Sequence, residues 1–287
     1  MAGWFFILLC AATSTLIAHF FKITEHKKLN TTRVLTVNYL IATFFAVLLA
    51  IREGITTLPE FSGFSIPLLF ATAVGFVFIA NFFIYSKSVH LNGVGISVAA
   101  MRVSLLVPVF TSILWYQEVL STLQWVGILI VFGALFLLLP NKRKLIREPL
   151  SAGWLLVILF VGTGIGDASL MVYEEEFSAE IPKEIFMGAV FFSAFLIGSF
   201  VLLIRRNYSI KKEEWVMGAA IGIPNLLTSI FLILALEQLT GAIVYSSVNI
   251  LTVLGATCVG VFRWGDIFTK AQWTGIALAL AAILLLL

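Results

Sequence analysis

The sequence predicts an all-α polytopic membrane protein in which ten transmembrane helices form two inverted five-helix repeats. Three observations predict this fold class: the composition, ten long apolar runs, and one motif that occurs in both halves. Of the 287 residues, 61% are hydrophobic and only 11% are charged, and the mean hydropathy is +1.07. A water-soluble domain carries about 25% charged residues, so this composition requires a lipid environment.

A helix needs about 20 apolar residues to cross the hydrocarbon core of a bilayer. Ten runs meet this requirement, and no polar segment between them is long enough for a separate soluble domain. The predicted spans are 3–21, 34–51, 66–87, 94–116, 122–139, 152–172, 185–204, 215–236, 241–262 and 270–287. We expect Pro108 and Pro224 to kink spans 4 and 8, because a proline removes one helical hydrogen bond.

The start of the last span in each half carries the same motif: an acidic residue, then Ser or Thr, Gln, Trp and Gly. The copies consist of Glu118, Ser121, Gln124, Trp125 and Gly127, and of Asp266, Thr269, Gln272, Trp273 and Gly275. In each copy the Ser or Thr and the Gln form a capping box, and the Trp suits the membrane interface. We therefore expect a structural role for the motif. It marks the end of two fused repeats, 1–140 and 151–287, which a basic linker over 141–150 joins.

The distribution of Lys and Arg predicts the topology. Of the 18 basic residues, 15 lie at odd-numbered connections between spans. Cytoplasmic loops are enriched in Lys and Arg, so both termini are predicted to lie outside an inner (plasma) membrane. Five spans is an odd number, so the second half must be inserted upside down relative to the first. Inverted repeats are typical of secondary transporters, which bind substrate near the bilayer midplane.

These features resemble the drug/metabolite transporter superfamily, in particular its EamA-like members. The resemblance rests on the two motif copies and covers essentially the whole chain. Pro108 matches a proline that the family often has in its fourth span, whereas Ala256 occupies the equivalent place in the second half. Asp266 stands where Glu is more usual. The resemblance implies a secondary transporter that exports or exchanges small organic metabolites, without implying which one.

Arg102 and Asp167 are the first candidates for a substrate-binding site. Arg102 lies near the middle of span 4, where a charge costs about 2.5–3.5 kcal/mol. Asp167 in span 6 is the only acidic residue well inside an apolar run, and we expect it at a similar depth. Arg102 could bind an anionic group such as a carboxylate, with Asp167 releasing it or titrating. Alternatively, the two form a permanent ion pair that joins the halves. The sequence leaves both readings open.

Polar residues at helical spacing supply further candidates. Asn81 and Tyr85 share a face of span 3, and Tyr245 and Asn249 share a face of span 9. We interpret them as the lining of a cavity, because lipid offers no hydrogen-bond partners. Interhelical hydrogen bonding is the alternative. A similar face of span 8 contains Asn225, and there we favour hydrogen bonding.

Other functional classes find little support in the sequence. It contains no HExxH, P-loop, GxSxG or spaced metal-ligand motif, so we expect no enzyme activity, no cofactor and no metal. The expected partners are a small-molecule substrate and the lipid bilayer, with no nucleic acid, and the protein is expected to be a monomer or homodimer. The alternative function is an integral-membrane enzyme or a non-transporting partner protein. For an enzyme, only Glu174, Glu175 and Glu176 form a fitting cluster, and a solvated helix end also explains them.

Overall fold

The structure, a computed structural model, describes residues 2–55, 66–92, 94–138, 152–206, 209–265 and 269–287. Within these ranges every regular element is helical. The helices are α1 (Ala2–His26), α2 (Thr31–Arg52), α3 (Ile66–Asn92), α4 (Val94–Val103), α5 (Leu106–Phe110), α6 (Thr122–Leu138), α7 (Gly153–Val172), α8 (Lys183–Ile204), α9 (Lys212–Leu236), α10 (Gly241–Trp264) and α11 (Lys270–Leu286). Short π-helical turns over Thr111–Trp115 and Tyr173–Phe177 extend α5 and α7. The predicted linker 141–150 and Asp266 lie outside the described residues.

Every predicted apolar run coincides with a helix, except that 94–116 coincides with an interrupted helical stretch. Among the described residues, seven helices are long and apolar enough to cross a membrane: α1, α2, α3, α7 with its π turn, α8, α9 and α10. Three shorter apolar stretches accompany them, Ala100–Trp115, Thr122–Leu138 and Lys270–Leu286. The prediction of an all-helical polytopic membrane protein is therefore confirmed.

The interruption of the fourth predicted span lies at Ser104 and Leu105, between α4 and α5. Pro108 has no N–H group to donate to the carbonyl of Ser104, four residues earlier. The backbone N–H of Val107 donates to that carbonyl instead, at 2.9 Å. The kink expected at Pro108 is thus a break in the helix. By contrast, α9 continues as a helix through Pro224.

Both predicted capping boxes are confirmed. At the start of α6, the Ser121 N–H donates to Gln124 Oε1 at 2.9 Å, and the Gln124 N–H donates to Ser121 Oγ at 3.3 Å. At the start of α11, Thr269 and Gln272 exchange the same two hydrogen bonds at 2.9 and 3.3 Å. Each box satisfies backbone donors that the first turn of a helix leaves free. The two helices that these boxes open pack against each other.

The long helices α1, α2 and α3 each pack against two helices of the second half. α1 contacts α9 and α10, α2 contacts α8 and α9, and α3 contacts α7 and α8. Small residues allow the closest approaches. A Cβ atom on Gly75 of α3 would lie 2.3 Å from the carbonyl oxygen of Val190, and one on Gly222 of α9 would lie 2.7 Å from that of Asn38. Such backbone-to-backbone packing is typical of membrane helices.

Candidate functional site

Arg102 lies in the last turn of α4, immediately before the break. The carbonyl groups at a helix C-terminus carry partial negative charge, which stabilises a cation there. The Arg102 guanidinium also donates a hydrogen bond from Nη1 to Asn249 Oδ1 on α10, at 3.2 Å. The structure therefore brings together two candidate residues from opposite halves of the chain.

Helix α10 connects this position to α7. The Tyr245 hydroxyl donates to the backbone carbonyl of Asp167 at 2.6 Å, and Tyr245 is itself buried, with 2% of its surface exposed. Asn249 Nδ2 donates to the carbonyl of Tyr245 at 3.2 Å. Four of the six candidates, Arg102, Asp167, Tyr245 and Asn249, thus form one connected group between α4, α7 and α10.

Arg102 and Asp167 interact electrostatically but do not touch. No nitrogen–oxygen distance of 4.0 Å or less joins their side chains, both of which belong to the described part of the chain. Both side chains are half-buried and keep accessible surface, although they lie on helices that pack inside the bundle. The two charges are therefore held apart rather than joined as an ion pair.

The two candidates on α3 differ from each other. Tyr85 is half-buried and lies within electrostatic range of Arg102. Asn81 instead faces α7, where its Nδ2 donates to Thr163 Oγ1 at 2.9 Å. A Cβ atom on Gly162 would lie 2.7 Å from Asn81 Oδ1. Asn81 therefore makes an interhelical hydrogen bond, which was the alternative interpretation of this residue. Its partner Thr163 lies one helical turn before Asp167. The role of Asn81 as a lining residue stays a prediction.

The polar face of α9 follows the interpretation that we favoured for it. Asn225 Nδ2 donates to Asn38 Oδ1 of α2 at 3.2 Å. The Thr228 hydroxyl donates to the Thr13 hydroxyl of α1 at 2.7 Å. These side chains hold α9 against its neighbours, so interhelical hydrogen bonding at Asn225 is confirmed.

Glu118 makes contacts that sequence reasoning missed. Its Oε1 accepts a hydrogen bond from the Gly241 N–H at 2.8 Å, and its Oε2 accepts one from the Ala242 N–H at 3.4 Å. The Ser112 hydroxyl donates to Glu118 Oε2 and accepts from the Ala242 N–H at 2.9 Å. Glu118 and Ser112 therefore cap the N-terminus of α10. The acidic position of the repeated motif was visible in the sequence, but its partner in the other half was not.

The acidic run Glu174–Glu176 forms the π turn at the end of α7. Among the described residues, no group of three or more His, Cys, Asp or Glu side chains is arranged to hold a metal ion.

Among the described residues, seven helices are long and apolar enough to cross a bilayer, which is typical of a polytopic membrane protein. Residues 1–139 match the model of the EamA-like transporter family. Over these residues, just under half of the chain, the sequence is therefore similar to EamA-like transporters. The resemblance inferred from the motif is confirmed over residues 1–139.

Two further comparisons extend over the whole chain. A protein of Haemophilus influenzae, described as uncharacterized, is 26% identical over 294 residues, which cover 99% of this chain and 96% of that protein. A solved crystal structure matches with a TM-score of 0.78 at 13% sequence identity, covering 99% of this chain and 95% of that one. At this identity the second likeness shows the fold alone.

Proposed function

We propose that the protein is a secondary transporter that moves small organic metabolites across the cytoplasmic membrane by alternating access between two inverted five-helix repeats. The observation that carries this proposal is Arg102, a charged residue at the end of an interrupted helix, beside an Asp167 carboxylate that it does not contact. Interrupted helices inside the membrane are typical of transporter binding sites, because their ends present uncompensated backbone groups.

Ten membrane crossings are compatible with the helix lengths. α6 and α11 each have 17 residues, or about 26 Å at 1.5 Å per residue, which is at the lower limit for a spanning helix. α4, α5 and the following π turn together supply the fourth crossing. The bias of Lys and Arg toward odd-numbered connections then puts both termini outside.

Pairs of equivalent contacts support the inverted repeats. α2 and α8 have 22 residues each, and Thr36 and Gly188 are both sixth in their helix, whereas Ala46 and Gly198 are both sixteenth. A Cβ atom on Gly198 would lie 2.7 Å from Thr36 Oγ1, and one on Gly188 would lie 3.6 Å from the Ala46 Cβ. Exchanging the halves converts one contact into the other. This antiparallel packing is compatible with a two-fold axis in the membrane plane.

The last helix of each half repeats the pattern. A Cβ atom on Gly127 would lie 3.1 Å from Leu286, and one on Gly275 would lie 3.0 Å from Leu138. Gly127 and Gly275 are equivalent in the repeated motif, and Leu138 and Leu286 follow them at the same spacing. The contact between α6 and α11 therefore also maps onto itself when the halves are exchanged.

The proposed site breaks this symmetry. Met101-Arg102 in the first half corresponds to Asn249-Ile250 in the second, so only one half supplies the guanidinium. In the proposed mechanism, Arg102 binds an anionic group of the substrate, such as a carboxylate, and exchanges its bond to Asn249 for a bond to that group. Asp167 lowers the affinity of Arg102 for the anion enough to permit release. The separation of the two side chains supports this arrangement over a permanent ion pair.

The test is substrate flux into proteoliposomes that contain only this protein, measured over a broad panel of metabolites. For any transported compound, we expect Arg102→Gln to lower the flux roughly tenfold or more, because one charge-assisted hydrogen bond is lost. Arg102→Lys should keep part of the flux, since it retains the charge but not the forked geometry. Arg52→Gln, which removes an exposed arginine at a helix end, is the matched control.

Two results would contradict the proposal. Normal flux through the Arg102→Gln protein would exclude Arg102 from substrate binding. Absence of flux for every compound tested with the unmodified protein would instead favour the alternative function, an integral-membrane enzyme or a non-transporting partner protein.

A further inference from the structure

One face of α10 carries both the candidate site and the contacts of Glu118. Gly241, Tyr245 and Asn249 follow one another at intervals of four residues, so they lie along the same side of the helix. Gly241 is bound by Glu118, whereas Asn249 is bound by Arg102. The segment from α4 to Glu118 and helix α10 are therefore joined at two levels, which are eight residues or ~12 Å apart along α10.

The contact between Glu118 and Gly241 is both charged and tightly packed. The Glu118 carboxylate uses both oxygens at the positive end of the α10 dipole, and hydrogen bonds to an ionised group are stronger than neutral ones. A Cβ atom on Gly241 would lie 2.4 Å from Met171 Sδ and 3.2 Å from Ser112. The start of α10 is thus closed against both α7 and the π turn that contains Ser112.

Helix α10 and its N-cap also contain buried hydroxyl groups that lack a hydrogen-bond partner in this conformation. Among the described residues, the hydroxyls of Ser246, Ser247 and Thr252, and that of Thr240 at the helix cap, are buried without a hydrogen-bond partner. Buried hydroxyls are normally paired, so their burial here opposes the stability of this arrangement. Any other position of α10 that paired these hydroxyls would remove this cost, whereas the contacts of Glu118 hold α10 in its present position.

We propose that Glu118 and Ser112 form a latch, the α10 latch, which closes the transport path at the end of the bundle where α10 begins. Release of Gly241 and Ala242 from the α10 latch lets the start of α10 move away from α5 and α7, and opens the space that leads to Arg102. This inference rests on the proposed function. It makes Glu118 a positioning residue for transport, which acts on the site through α10 rather than by touching substrate.

The experiment measures accessibility and therefore needs no substrate. Val248 is half-buried on α10, between Tyr245 and Asn249. Val248→Cys is introduced after both native cysteines are replaced by serine (Cys10→Ser and Cys258→Ser), and its reaction with a membrane-impermeant maleimide is followed in proteoliposomes. We expect Glu118→Gln, which removes the charge at almost constant shape, to raise the labelling rate roughly tenfold, within the usual range of coupling between sites. Ser112→Ala should raise it in the same direction.

Gln124→Ala is the matched control. It breaks the capping box of the same motif copy and so weakens a helix start without touching α10. Labelling should stay at its original rate in this variant. Equal acceleration in Gln124→Ala and Glu118→Gln would mean general loosening and would overturn the α10 latch. So would unchanged labelling in both Glu118→Gln and Ser112→Ala.

Flux measurements separate this inference from the proposed function. Flux through the unmodified protein combined with unchanged labelling in both latch variants refutes the α10 latch and leaves the transporter standing. Accelerated labelling in a protein that moves no compound refutes the transporter and leaves the latch as a conformational contact.

Discussion

Two carboxylates, those of Glu118 and Glu214, are each held by several hydrogen bonds. Glu214 is the clearest case, with only 2% of its surface exposed. Its carboxylate accepts from the backbone N–H groups of Lys211 at 2.8 Å and Asn30 at 3.1 Å, and it forms an ion pair with Arg33 at 3.2 Å. It thereby ties the start of α2 to the start of α9. Arg102 differs, because it makes one such bond and keeps accessible surface.

The contacts of Glu214 predict a large effect on stability. We expect Glu214→Ala to lower the free energy of unfolding by about 3 kcal/mol, because it removes a buried carboxylate from an arginine and two backbone donors. The neighbouring Glu213 is exposed in the same helical turn, so Glu213→Ala is the control and should change stability by less than about 0.5 kcal/mol. Unfolding in mixed micelles at increasing denaturant measures both. Similar losses in the two variants would mean that the helix start, rather than the buried contacts, matters.

At the scale of elements, the interrupted stretch of α4 and α5 distinguishes the region of the proposed site from the continuous helices around it. The break leaves the carbonyls near Arg102 at a helix end, and it places Val107 against Gly164 of α7, whose added Cβ would lie 2.4 Å from Val107 Cγ2. Because α5 continues into the π turn with Ser112, a movement at the break reaches the α10 latch directly. Local π turns of this kind often occur at functional sites.

Replacing the proline tests whether the break matters for transport. Proline is about 3 kcal/mol less favourable than alanine inside a helix, so Pro108→Ala should allow α4 and α5 to join without lowering the free energy of unfolding. We expect the flux to fall several-fold, since a continuous helix would redirect Arg102. Pro224→Ala is the control, because α9 already continues through that position. Unchanged flux in Pro108→Ala, together with a helix shown to be continuous, would separate the break from the function.

At the scale of the whole molecule, the proposed five spans in each repeat would link the two halves to the predicted topology. The close approaches of Thr36 to Gly198 and of Ala46 to Gly188 are compatible with a second half inserted upside down. The proposed arrangement would put the basic connections of both halves on one side of the membrane. An asymmetric pair of residues, Arg102 and Asp167, then lies within a nearly symmetric scaffold.

The topology is open to a direct test with a reporter that is active only in the cytoplasm. Fused after Leu287, it should stay inactive, because the C-terminus is predicted to lie outside. Fused after Arg206, which follows α8, it should be active, and this fusion serves as the positive control. An active reporter after Leu287 would reverse the orientation of every helix while leaving the packing described above unchanged.

Much of the fold follows from local features of the chain. The positions of the helices follow from the length of the apolar runs, and the starts of α6 and α11 follow from Ser121 with Gln124 and Thr269 with Gln272, which interact within one turn. Arg102 and Asp167 could be singled out because a charge in an apolar run is costly wherever the run packs. These inferences need no knowledge of which helices are neighbours.

The sequence by itself therefore determined the helical membrane class, the positions of the helices and the residues most in need of a polar environment. Only the tertiary structure decided their partners: Asn249 rather than Asp167 for Arg102, Thr163 for Asn81, and the start of α10 for Glu118. The physical reason is distance along the chain. Apolar length and capping act within one segment, whereas these hydrogen bonds join residues more than 80 positions apart and depend on how whole helices pack.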